Sequence, residues 1–162
     1  MHFIISKLDY CNGLLYGLLK SHIAKLQHVQ NCAARLVMNV PRFCHITPVL
    51  IDLHWLPAAY HIQFKILIIT FKCLYGLAPM YLSELVNGST RTRYNLRSTS
   101  SLLLVPASAK SKIALGDRSF KSAAPKLWNN LPSNLRNLSK FSAFKSQLKT
   151  YLFRLAFSLK FV

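Results

Sequence analysis

Residues 57–77 read PAAYHIQFKILIITFKCLYGL, and no other stretch constrains the fold so strongly. Pro57 suits the first turn of a helix, and Gly76 followed by Pro79 suits its end. Between them apolar side chains fall on nearly every side of a helix, leaving only a narrow polar line through His61, Lys65 and Lys72. A helix that is apolar all round belongs at the centre of a core. The chain is therefore expected to be mostly α.

The flanking segments follow the same pattern. Residues 3–19 are helical in periodicity, weakened by Gly13 and Gly17. Ser21 is placed to cap a helix from about His22 to Val40, stopped by Pro41. On that helix Ile23, Leu26, Val29, Ala33, Leu36, Val37 and Val40 share one face, while Lys25, His28, Cys32 and Arg35 line the other. Thr47-Pro48 signals a short helix to about His54, and Pro79 another through Val86. Residues 87–101, NGSTRTRYNLRSTSS, change in kind and read as a flexible basic linker. They divide a helical region (1–86) from a C-terminal segment (102–162). That segment has a possible β-hairpin pairing 102–105 with 112–115, and two helices. The first is capped by Asp117 and broken by Pro125; the second is capped by Ser139. The last helix carries Phe141, Phe144, Leu148, Leu152 and Leu155 as its stripe, with Lys145 and Lys149 beside it. Phe153 and Phe157 fall off that stripe and predict a second apolar surface.

Charge narrows the choice of partners. The chain of 162 residues has 21 Lys and Arg against 4 Asp and Glu, a formal net charge of +17. Such an imbalance points to nucleic acid, an anionic membrane or an acidic protein, and is silent about fold. A spanning helix needs about 20 mostly apolar residues, and Lys65 and Lys72 interrupt the best run, so no membrane role is expected. No signal peptide is recognisable, and Cys11, Cys32, Cys44 and Cys73 show no CxxC spacing; they read as reduced thiols of an intracellular protein.

Two constellations invite a chemical reading. Asp52, His54 and His61 lie within DLHWLPAAYHIQFKI, but Pro57 ends any helix that the two histidines could share, and helical metal ligands need i, i+3 or i+4 spacing. Cys44-His45 has no further partner at ligand spacing, and no oxyanion donor marks a Cys–His nucleophile. Asp52 and Trp55 read better as parts of a core-building corner. The only acids, Asp9, Asp52, Glu84 and Asp117, are isolated, whereas a two-metal phosphoryl-transfer site needs several converging carboxylates. No phosphate-binding glycine loop is present. The residues imply no catalysis, metal or cofactor.

Five stretches carry a family resemblance: LDYCNGLLYGL (8–18), LQHVQNCAARLV (26–37), HITPVLIDLHWLPAAYHIQFKILIITFKCLYGLAPMYLSEL (45–85), GDRSF (116–120) and AAPKLWNNLPSNLR (123–136). In this order they resemble the C-terminal end of the reverse transcriptase polyprotein of non-LTR, LINE-type retrotransposons of the jockey and chicken-repeat kind. The resemblance implies a helical thumb-like bundle and a C-terminal extension, without the palm with its Tyr-x-Asp-Asp box and without the endonuclease. Cys44 stands where such proteins usually have an acid, and residues 106–115 lack some of their usual basic residues.

The resemblance raises the weight of the basic helix face, which on pattern alone is more often just a solvated surface. A thumb helix lies along a primer–template and touches phosphates and sugars. Lys25, His28 and Arg35 are the residues expected there. Arg91, Arg93 and Arg97, with Tyr94 for stacking, suit a clamp on template RNA, and Lys145 and Lys149 add a basic edge. The expected partner is RNA or DNA; a second is the missing palm and fingers domain, sought through Phe153 and Phe157.

Overall fold

A computed structural model describes residues 6–7, 9–87, 103–105 and 118–158. After a 3-10 turn at Asn12–Leu15 come α1 (Lys20–Met38), α2 (Ile46–Asp52), α3 (Ala58–Leu74), α4 (Met80–Asn87), α5 (Phe120–Asn129), α6 (Ser133–Arg136) and α7 (Phe141–Ala156). These seven helices, with no strand among the described residues, make the chain mostly helical. It forms two compact units, one of residues 1–64 with 149–162 and one of residues 65–148. The division thus falls within α3 and α7. The expected linker, apart from Asn87 at the end of α4, lies outside the described residues.

In the first unit α1 packs on α2. Its core gathers Ala33, Ala34, Val49, Leu50 and Trp55, with Val40, Ile46, Leu53 and Phe157 packed against them. Phe153 lies against the His54 ring at 5.9 Å and meets Phe157 edge-on at 4.8 Å. The second apolar surface predicted for the last helix therefore exists, and it is partly buried within this unit. Phe153 and Phe157 are thus half-buried among their own unit's residues rather than fully exposed.

The buried face of α1 differs from the expected stripe. Gln30, Ala33 and Ala34 are buried, whereas Leu36 is 81 % exposed and Val29 54 %. Two glutamines set this rotation. Gln30 donates its amide N–H to the Leu56 carbonyl at 2.7 Å, and Gln27 Oε1 accepts the Ala58 N–H at 2.8 Å. The second bond satisfies an otherwise orphaned amide at the start of α3. Ser21 lies inside the helix, with Leu19 at the cap position, and the left-handed Asn39 (φ 51°) ends it. The helix expected over 3–19 is likewise interrupted, by positive φ at Cys11 and Gly17.

The DLHWLP corner is built from the same contacts. His54 adopts φ 53°, and the Trp55 N–H returns to the Leu50 carbonyl at 2.9 Å, closing α2. The turn drives Trp55 and Leu56 into the interior, where both are buried. Pro57 then opens α3.

The second unit is organised by aromatic rings. Phe71 stacks on Tyr75 at 4.3 Å and on Phe144 at 4.4 Å, and touches Phe141 at 5.9 Å. Trp128 meets Phe144 at 5.7 Å. Lys72 Nζ sits 5.2 Å from the centre of the Phe141 ring, a cation–π arrangement that lets a lysine sit on an otherwise apolar helix. The Tyr75 hydroxyl donates to the Leu138 carbonyl at 2.9 Å. At the end of α3 the left-handed Gly76 (φ 68°) turns the chain so that the Leu77 N–H reaches the Lys72 carbonyl at 2.8 Å.

Two further expectations change in this unit. Residues 103–105 are not a strand, because Leu104 exchanges both its backbone groups with the Asn129 side chain, at 2.9 and 2.7 Å. This clamp takes the place of a strand partner; the proposed mate at 112–115 lies outside the described residues. Pro125 does not break α5, which runs through it. The cap positions also move. Ser119 precedes α5, Asp117 being outside the described residues, and α7 starts at Phe141, so Ser139 lies one residue before its cap position.

Candidate nucleic-acid interface

The polar side of α1 forms one wall of a groove of about 510 Å³, lined by His28, Asn31, Cys32, Arg35, Leu36, Asn39, Val40 and Arg42. Helical spacing places His28, Cys32 and Arg35 in one row, and the left-handed turn at Asn39 swings the chain back so that Arg42 joins them. The turn is tightly tied. The Val40 N–H reaches the Arg35 carbonyl at 3.0 Å, the Cys44 N–H reaches the Pro41 carbonyl at 3.2 Å, and Arg35 Nη1 donates to the Cys44 carbonyl at 3.2 Å. Arg35 therefore both holds the turn and brings charge to the groove. His28 Nε2 lies 3.7 Å from Cys32 Sγ.

The sequence-derived residues are brought together only in part. His28 and Arg35 share the groove, and Lys25 is exposed one turn earlier on the same helix. Lys145 and Lys149 are exposed four residues apart on α7. Arg91, Arg93, Tyr94 and Arg97 lie outside the described residues. Sequence reasoning missed Arg42, Asn31 and Asn39. Arg42 had a faint signal, as a base just after the helix-stopping Pro41.

Asp52, His54 and His61 do not converge. Asp52 is exposed at the end of α2, the His54 ring is engaged by Phe153, and His61 pairs instead with Asp9. No group of three or more His, Cys, Asp or Glu able to hold a metal occurs among the described residues. Beside His61 a small pocket of about 20 Å³ is lined by Asn12, Gln30 and apolar neighbours, room for one water-sized molecule.

The pairing of His61 has a measurable consequence. Its Nδ1 lies 2.9 Å from Asp9 Oδ1. Burial, the largest influence, lowers its pKa; Asp9 pulls the other way, Lys149 adds to the lowering, and the net direction is down. The ring is thus held neutral, donating Nδ1–H to the carboxylate. In the unfolded chain it titrates near 6.5, so below that pH the unfolded state binds more protons and stability falls. The melting temperature should be flat above about pH 7 and decline from about pH 6.5 until the folded pKa is passed. His61→Gln should flatten the decline; an equal decline in that variant would assign it to another group.

Fold and surface together define a strongly basic helical protein with a cationic groove on its longest helix. No helix among the described residues is long and apolar enough to cross a membrane. No family model, no curated protein and no solved structure matches the chain. Contrary to the expectation, no match supplies the words reverse transcriptase, retrotransposon or LINE.

Proposed function

We propose that this chain is a sequence-nonspecific nucleic-acid-binding module without catalysis of its own. We further propose that it corresponds to the thumb and C-terminal extension of an RNA-directed DNA polymerase of the kind its five stretches resemble. The observation that carries the binding role is the groove on α1, where His28, Arg35 and Arg42 sit with two asparagines in a chain of net charge +17. Guanidinium groups and side-chain amides are suited to phosphate and sugar oxygens and read no sequence there. The absence of catalysis rests on the four isolated acids, too few and too scattered for a two-metal centre. Four free cysteines accord with action inside the cell.

A salt titration tests the binding role. With about five phosphate contacts to duplex, log K falls against log salt with a slope near −4.5. The affinity is then expected to drop about 500-fold between 50 and 200 mM salt. No binding at low salt, or binding no tighter than that of a charge-matched scrambled peptide, would sink the proposal.

A further inference from the structure

Next in sequence to Arg42, the last residue lining the groove on α1, stands an apolar residue that phosphate binding does not use. Phe43 follows Arg42 directly and is 89 % exposed, the most exposed of the large hydrophobic residues described. It stands in the 39–45 connection tied by the three hydrogen bonds described above, so the ring is displayed on a fixed turn. Leu36, also strongly exposed, lines the groove itself with Val40. A duplex offers a groove of this kind mainly sugars and phosphates, because its bases are stacked on each other. Only an unpaired strand presents base faces beside its phosphates, and a cationic channel next to an exposed aromatic ring is how such strands are held. A second copy of this chain is a poor occupant, since two surfaces with the same net charge of +17 repel.

We infer that the groove takes single-stranded nucleic acid, with a base stacked on Phe43 and the neighbouring phosphates on Arg42, His28 and the remaining N–H groups of Arg35. This rests on the nucleic-acid-binding role proposed above and names its ligand class.

The test uses the full chain with fluorescein-labelled oligo-deoxythymidylate about 12 nucleotides long, within the span that single-strand-binding domains cover, and a blunt duplex of the same length. Wild type should bind the single strand more tightly. Phe43→Ala should weaken that binding by about 5- to 150-fold, the range for loss of one stacked base, and leave the duplex unaffected. Phe43→Trp should restore the affinity. The salt slope should be unchanged in Phe43→Ala but shallower by about 0.7 in Arg42→Gln, because only the second removes a phosphate contact. The exposed ring makes no core contact that its loss would break, and a thermal melt of each variant checks this. Equal losses on both oligomers, or no loss on either, would overturn the single-strand site while leaving the nucleic-acid role standing. No binding to either would remove both. If poly-glutamate competed with the oligomer and did so only when Phe43 was present, the ring would belong to an acidic protein partner, and the inference would fall.

Discussion

Phe71→Ala is expected to cost about 3–5 kcal/mol of stability. The residue is fully buried and is the ring common to three aromatic contacts, with Tyr75, Phe144 and Phe141. Its removal forfeits the transfer free energy of the side chain, leaves a cavity among stiff rings that collapse poorly, and deletes pair geometries each worth about 0.5–1.5 kcal/mol. Domains of this size are stable by only about 5–15 kcal/mol, so the variant should sit near the edge of folding. Urea unfolding followed by Trp fluorescence is the direct measurement, since Trp128 meets Phe144, itself stacked on Phe71. A lower midpoint with an unchanged m-value is the expected result. A loss under about 1 kcal/mol would mean that the rings are interchangeable filler and that something else organises this unit.

The second large effect is predicted at the corner, and it separates two physical causes. Gln30→Leu nearly conserves volume but leaves the buried Leu56 carbonyl without the amide that reaches it at 2.7 Å. An acceptor orphaned in this way costs about 1–3 kcal/mol. Gln30 Oε1 is itself buried without a partner, so leucine recovers part of that penalty and should fall at the lower end. Gln30→Ala adds a cavity and should be the worse of the two. Adding Gln27→Ala removes the acceptor for the first N–H of α3, a loss of about 1 kcal/mol by analogy with helix caps. The two glutamines hold adjacent points of one turn, so the double loss should differ measurably from the sum. Strict additivity in a double-mutant cycle, or a neutral Gln30→Leu, would show that the corner is held by Trp55 alone.

These contacts explain which features were legible in the sequence. The core helix at 57–77 was plain because apolar residues on nearly every side of it leave a periodicity argument little freedom. Phe144, Leu148 and Leu152 were found by the same counting and are buried. The face of α1 was misjudged because apolar periodicity ranks Val29 and Leu36 above Gln27 and Gln30. A glutamine's weight depends on a carbonyl or amide placed 26 or 31 residues further along, and no local pattern carries that. The proposed hairpin failed similarly: Asn129 makes a sheet-like pair of bonds to Leu104 from a helix, a partner that strand signals do not represent. Of the proposed interface, Lys25, His28 and Arg35 were visible as a polar, basic row on α1. Arg42 and Phe43 were not, because they stand in an irregular turn where side-chain direction follows from Asn39 taking a left-handed conformation.

Pro125 carries a consequence for the order in which the chain assembles. It is the sixth residue of the ten in α5, where its ring removes an amide that would have bonded the Lys121 carbonyl. A proline inside a helix costs about 3 kcal/mol relative to alanine, and helices shorter than about 12 residues are already marginal in water. Residues 120–129 therefore have no helical tendency of their own. They are held by the burial of Ser122, Ala123, Ala124, Pro125 and Trp128. By contrast α1, with 19 residues, and α7, with 16, can flicker into shape alone. The AAPKLWNN segment is therefore expected to become helical only once its neighbours have collapsed around it. An excised peptide of these residues is expected to stay a coil, and a helical circular dichroism spectrum from it would count against this order.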